Sequence, residues 1–167
     1  TLFEDLICCI LDMQIHYKGK TPRFNKLKNL NKREALRYDN LFKTSEEFWS
    51  NLKLSRQKEN ALMQLCDAWE EKELYNIQWH LLSDDSVRNI LSLVKGIGTW
   101  TIDMILLFSL QRKDIFPLDD FQLRKTMLEI YEVEEKDEAE LYEIAEKWKP
   151  YRSVGCLYLW GYNSKIK

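Results

Sequence analysis

The residues best suited to chemistry lie in three short stretches in the second half of this 167-residue chain. The first, Leu93-Val-Lys-Gly-Ile-Gly-Thr-Trp-Thr101, closes one apolar-periodic segment and opens another. Glycines one residue apart permit a tight turn, and the backbone N–H groups of Gly96, Gly98 and Thr99, with the helix N-terminus that follows, suit a single phosphate. A simple helix-to-helix turn uses the same residues. A dinucleotide fingerprint needs a third glycine where Trp100 and Thr101 stand and a strand before it, and a triphosphate loop needs Gly-Lys-Ser/Thr; the sequence has neither. The second stretch, Phe116-Pro-Leu-Asp-Asp120, places two carboxylates twenty-two residues after Gly98, fit to cap a helix or to face positive charge developing on a substrate. The third, Trp148-Lys-Pro-Tyr-Arg-Ser153, leads on to Tyr158-Leu-Trp160. His16 and His80 are too isolated to suggest a metal site, no Ser-His-Asp arrangement is legible, and Cys8, Cys9, Cys66 and Cys156 have no metal-ligand spacing and read as reduced thiols.

These stretches must be held by helices. Leu2, Phe3, Leu6, Ile7, Ile10, Leu11 and Ile15 recur at helical spacing, and Thr1 with Glu4 forms a capping-box pattern. A second helix opens at Thr44-Ser45-Glu46-Glu47 with Phe48, Trp49 and Leu52. A third opens at Ser55 with Ala61, Leu62, Leu65, Cys66 and Trp69 on its apolar face. A fourth begins at Ser83 or Asp84, buries Val87, Ile90, Leu91 and Val94, and stops at Gly96. Residues 99–110 are apolar almost all round, which predicts a central buried helix. Gln111 to Leu118, with Pro117, reads as a loop. Asp119-Asp120 starts a further helix, Glu138 to Trp148 forms another, and Pro150 at a first-turn position begins the last, through Trp160. No alternating run is long enough for a strand, and no repeat is visible, so the fold class is all-α.

Composition agrees with one compact protein. With 25 Lys+Arg against 27 Asp+Glu the formal charge is −2, and 45% hydrophobic residues exclude disorder. The even sum hides two opposite segments: Lys18 to Arg37 carries eight basic residues and one acid, whereas Glu129 to Glu146 carries nine acids and one Lys. The basic segment suits a polyanion on one side only; the plainer alternative is two solvated faces. The longest apolar runs, Leu6 to Leu11 and Met104 to Phe108, are far shorter than the roughly 20 residues that cross a bilayer, and no secretory leader opens the chain. The expected compartment is the cytoplasm, bacterial cytoplasm or nucleoid. Opening at Thr1 rather than Met, the chain is expected to be a piece of a longer protein.

Taken together and in order, Gly96-Ile-Gly-Thr-Trp-Thr101, Pro117-Leu-Asp-Asp120 and Trp148-Lys-Pro-Tyr-Arg-Ser153 resemble the helix-hairpin-helix DNA glycosylases, and specifically the 3-methyladenine DNA glycosylase II branch. Ile10-Leu-Asp-Met-Gln-Ile15 is similar to the family's Gly-Gln-Gln segment, with Asp12 in place of the usual Gly and Met13 in place of one Gln. The resemblance covers essentially the whole chain. It implies a central cleft between two helical lobes, one of residues 1–17 with 118–167 and the other of residues 18–117. It puts the catalytic role on Asp120, leaving Asp119 as a helix N-cap. Physically, a carboxylate at a helix start beside an apolar cleft can sit against the anomeric carbon of a sugar, stabilise oxocarbenium-like charge as the base departs, and orient the attacking water.

The resemblance further implies that Trp100, Met104, Phe121 and Trp160 line the base pocket, and Trp100 with Met104 share a helix face by i,i+4 spacing. For each aromatic, ordinary core packing is the alternative. An indole-walled pocket attracts the cationic alkylated purines, 3-methyladenine and 7-methylguanine, by about 1–2 kcal/mol of cation–π energy. Where bifunctional relatives carry a nucleophilic lysine this chain has Trp100, and the four-cysteine cluster loop of another branch is missing, so a monofunctional hydrolase acting on double-stranded DNA in base-excision repair is implied. Gln14 matches the wedge that fills the gap left by a flipped base. Gly96, Gly98 and Thr99 amides, with Lys18, Lys20 and Arg23, would contact phosphates, around a Na+ or K+ held by the Val94 and Gly96 carbonyls; no other cofactor is expected, and the chain is expected to act as a monomer. The alternatives are a glycosylase for a deaminated or oxidised base and a non-catalytic helix-hairpin-helix DNA-binding protein.

Overall fold

The computed structural model describes residues 1–12, 54–134 and 138–163. Among these there is no strand, and the chain is all-α as the sequence implies. The helices are α1 (Leu2–Asp12), α2 (Arg56–Glu71), α3 (Asp84–Ser92), α4 (Thr99–Met104), α5 (Phe121–Tyr131), α6 (Glu138–Glu146) and α7 (Arg152–Asn163). Short 3-10 turns at Leu74–Asn76 and Trp79–Leu81 link α2 to α3, and α4 runs on as a π-helical turn over Ile105–Ser109. The helix expected from Thr44 lies outside the described residues. By compactness the chain divides into two units, Thr1–Leu110 and Gln111–Lys167.

In the first unit α1 starts as its sequence dictates: the Glu4 N–H donates to Thr1 Oγ1 at 3.3 Å and the Thr1 amine donates to Glu4 Oε2 at 3.2 Å, both halves of the capping box. From Phe3 on its apolar residues are buried, and it packs against α2, α4 and the π-helical turn. The ring of Phe3 meets Trp69 at 5.1 Å, and Trp69 stacks on Trp79 at 6.0 Å, so large aromatic area joins α1, α2 and the loop after it. Ser55 caps α2 through the Lys58 N–H, and Ser83 caps α3 through the Ser86 N–H at 3.2 Å. All four cysteines are buried, and none is in a disulfide. Burial pushes the Cys66 thiol up to about 12, which keeps it protonated and unreactive.

In the second unit α5, α6 and α7 pack around Trp148. Its ring meets Phe116 edge-on at 6.0 Å and Tyr131 at 6.4 Å, and a methyl group at Gly155 would stand 2.7 Å from its Cε3, so only glycine lets α7 approach the indole. The last helix starts at Arg152, two residues after Pro150, rather than with Pro150 in its first turn. No helix among the described residues is long and apolar enough to cross a membrane.

Candidate active site

Of the three stretches that the sequence singles out, the first lies in the first unit and the other two lie in the second. In the first unit α3 ends at Ser92, Ile97 N–H donates to Val94 O at 3.1 Å, and α4 opens with Gly98 as its N-cap residue. The two hairpin glycines do different work. Gly96 has φ +91°, and a Cβ there would lie 2.7 Å from the Ala61 Cβ on α2, so the position excludes any side chain twice over. Gly98 is extended, at φ −97° and ψ 175°, and a Cβ added there would meet nothing within 4 Å. Of the conformational freedom that the pair permits, only Gly96 uses a positive φ; Gly98 is an exposed backbone that a ligand can approach closely. Thr99 beside it is exposed, Trp100 is half-buried, and Met104 is only 2% exposed.

The hairpin helices are also tied by an ion pair that the sequence pattern does not foretell. Arg88 on α3 reaches Asp103 on α4, whose side chain is 7% exposed. A carboxylate inside the otherwise apolar run 99–110 was the available signal, because a buried charge requires a partner. Alongside the hairpin a groove of about 690 Å³ is lined by Ile10, Lys58, Ala61, Lys95, Gly96 and Thr101 among others.

In the second unit, Asp120 is the N-cap residue of α5. Its Oδ1 accepts the Leu123 N–H at 2.8 Å and the indole N–H of Trp160 on α7 at 2.9 Å. This corrects the assignment of the cap to Asp119, which is exposed; the carboxylate read as the chemical one is also the one that starts the helix. Of the candidate pocket residues, the structure joins Asp120 and Trp160 by a direct bond, and Phe121 projects outward at 76% exposure. Gln14, Lys18, Lys20 and Arg23 lie outside the described residues. Among the described residues no cluster of His, Cys, Asp and Glu could hold a metal ion. At the hairpin the Val94 oxygen already accepts the Ile97 N–H, which leaves it a second lone pair.

The loop leading to Asp120 is fastened to α7. Arg152 grips Asp114 in a fork, Nε to Oδ1 at 2.8 Å and Nη2 to Oδ2 at 2.9 Å. Ser153 Oγ donates to Arg112 O at 2.6 Å and accepts the Ile115 N–H at 2.9 Å. In the sequence these two residues stand out only as part of a motif. The signal that could have found their role is electrostatic: an arginine in the first turn of a helix faces the positive end of the macrodipole, so a specific anionic partner must hold it there.

The guanidinium of Arg152 holds the Asp114 carboxyl below its ordinary value of 3.8. The pair thus contributes stability in full above that ordinary, unfolded-state value, and the contribution is lost as pH falls through the lower folded value. The expected outcome is a melting difference between the wild type and Asp114→Asn that is constant from about pH 5 to 8 and shrinks below about pH 4.

No family model matches the chain. It is 27% identical over 172 residues to DNA-3-methyladenine glycosylase 1 of Schizosaccharomyces pombe, covering 95% of this chain and 71% of that protein. Among solved structures it is similar to a DNA-3-methyladenine glycosidase from Bacillus halodurans, with TM-score 0.79 and 26% identity, over 96% of this chain and 75% of that one. The fold is shared with the 3-methyladenine DNA glycosylase of Schizosaccharomyces pombe solved in complex with abasic DNA, at TM-score 0.79 and 24% identity over 95% of this chain and 79% of that one. With its three ordered motifs on an all-helical fold, the chain is similar along nearly its whole length to DNA glycosylases of the 3-methyladenine type.

Proposed function

We propose that this protein is a monofunctional DNA glycosylase that releases alkylated purines from double-stranded DNA in base-excision repair. The observation that carries the reading is the Asp120 carboxylate at the head of α5, bonded at 2.9 Å to the indole of Trp160. An anion beside an electron-rich ring suits a substrate that is cationic at the start, a purine alkylated at N3 or N7, and that passes through a cationic sugar. The bond between C1′ and the purine nitrogen breaks with its electron pair going to the base, which leaves neutral. Positive charge moves to C1′ and the ring oxygen, where Asp120 stabilises it, and water oriented by the same carboxylate adds to C1′ and loses a proton. The products are the free base and an abasic site.

A base within a duplex reaches such a site only when it is flipped out. The amides of the exposed Gly98 and Thr99 would contact a phosphate, and the Val94 and Gly96 carbonyls would hold a monovalent cation between hairpin and phosphate. Residue 100 is a tryptophan, with no amine to attack C1′, so no Schiff base forms and the strand stays whole.

Duplexes carrying 7-methylguanine, hypoxanthine or 8-oxoguanine separate the readings. Release is expected from the first, detected as a break that appears only after alkali, with no covalent adduct on borohydride treatment. Release from hypoxanthine or 8-oxoguanine alone would move the substrate class to deaminated or oxidised bases, and an adduct would show that an amine, rather than water, attacks C1′.

A further inference from the structure

The segment from Arg112 to Asp120 has no regular helix or strand, yet it carries the carboxylate on which the proposed chemistry rests. A loop of this kind holds an atom in place only if something else fixes it. Beside the ring contacts of Phe116 with Tyr142 and Trp148, one stripe of α7 does this. Ser153, Cys156 and Trp160 follow at i, i+3 and i+7, so they share a helix face. All three bond to the loop: Ser153 to Arg112, Lys113 and Ile115, Cys156 Sγ to Ile115 O at 3.8 Å, and Trp160 to Asp120. Ser153 is 4% exposed and Cys156 is fully buried. Beside the stripe, Arg152 makes four contacts with one residue. Its side chain meets both carboxylate oxygens of Asp114, its Nη2 reaches the Asp114 O at 3.1 Å, and its backbone N–H reaches Oδ1 at 3.2 Å.

The loop is therefore pinned to a single rigid helix at both ends, at Asp114 by Arg152 and at Asp120 by Trp160, across eight residues of α7 or about 12 Å. We propose that Arg152 and Ser153 are positioning residues for Asp120: through Asp114 and the Ile115 amide they set the path of the loop, and so the place of the carboxylate against C1′. The inference rests on the catalytic reading of Asp120. It gives the Arg-Ser end of the third motif a task in the reaction without contact with DNA. Errors of about 1 Å in the placement of a catalytic group lower rates by up to about a hundredfold, so loosening the clamp must appear in the chemical step more than in binding.

A double-mutant cycle tests this. Single-turnover release of 7-methylguanine is compared for the wild type, Arg152→Met, Asp120→Asn and the double variant. Affinity for a duplex containing a tetrahydrofuran abasic analogue is measured on the same proteins. Arg152→Met is expected to slow release by about tenfold or more with affinity kept within about twofold, and to add nothing in the Asp120→Asn background, because the clamp acts through the carboxylate that is no longer there. Release by Arg152→Met within about twofold of the wild type, or an equal further loss in the double variant, overturns the proposal and leaves the catalytic reading of Asp120 intact. Asp120→Asn with wild-type release removes both. Should Arg152→Met fail to fold, Ser153→Ala, which deletes only the hydroxyl bonds to Arg112 O and the Ile115 N–H, enters the same cycle with the same expected result.

Discussion

Replacing Asp120 by asparagine is expected to slow release of 7-methylguanine by about a hundred- to a thousandfold while leaving affinity for an abasic duplex within about twofold. The expectation is specific because asparagine separates the helix cap from the proposed catalytic charge. As the N-cap of α5, Asp120 accepts the Leu123 N–H at 2.8 Å, and asparagine caps a helix as well as aspartate does. Its amide oxygen also remains available to the indole N–H of Trp160, which the carboxylate Oδ1 accepts in the wild type. What disappears is the negative charge, the property that stabilises an oxocarbenium-like sugar. Asp120→Ala, by contrast, removes charge and cap together and is expected to lower stability by about 1 kcal/mol besides abolishing release. Rate and melting temperature measured on both variants resolve the two roles. If Asp120→Asn releases base at the wild-type rate, the carboxylate is a helix cap and nothing more.

The second large effect is expected at the hairpin, where Gly96→Ala should destabilise the protein by about 2–4 kcal/mol in urea unfolding. Two independent penalties meet there. The backbone stands at φ +91°, where an L side chain is strained, and the new methyl would press on the Ala61 Cβ at 2.7 Å and Cα at 3.1 Å, part of a helix that cannot easily retreat. Gly98→Ala is the control two residues on. Its backbone is extended and a Cβ there would meet nothing within 4 Å, so stability should change by less than about 0.5 kcal/mol. Duplex affinity should fall by about tenfold in this variant, since the methyl group would stand where a phosphate meets the amides. Equal stabilities for the two variants would contradict the division of labour between the glycines.

Most of the fold was legible because its signals are local. The capping box at Thr1 and Glu4, the serine caps of α2 and α3, and the apolar spacing of α1 are all written within one or two turns of helix, and each is formed as read. Helix starts failed where two residues of the same type stand together. Asp119 and Asp120 are equally good caps by composition, and the choice of Asp120 depends on α7 delivering the Trp160 N–H to it, a contact forty residues away in sequence. Pro150 misled for a related reason: proline at a first turn is a sound rule, but in this chain the helix begins at Arg152, where the forked bond to Asp114 fixes the chain.

The candidate site shows the same division. Two of its proposed groups, the Asp120 carboxylate and the Trp160 indole, stood out through the motifs that carry the resemblance, and the structure bonds them at 2.9 Å. The site's support was not legible, because Arg152–Asp114 and Arg88–Asp103 are pairings between distant segments that no periodicity encodes. What the sequence did carry was the anomaly each pairing resolves: a cation at the positive end of a helix and a carboxylate in an apolar run.

Whether the chain breaks the glycosidic bond of an alkylated purine and leaves the strand intact is decided by single-turnover incubation with a duplex holding one 7-methylguanine, reading free base by chromatography and strand integrity before and after alkali. Free base in solution at the pace of enzyme turnover, with full-length strand until alkali is added, is the expected result. Tight binding of the duplex with no base released would contradict it and leave a protein that grips DNA without acting on it.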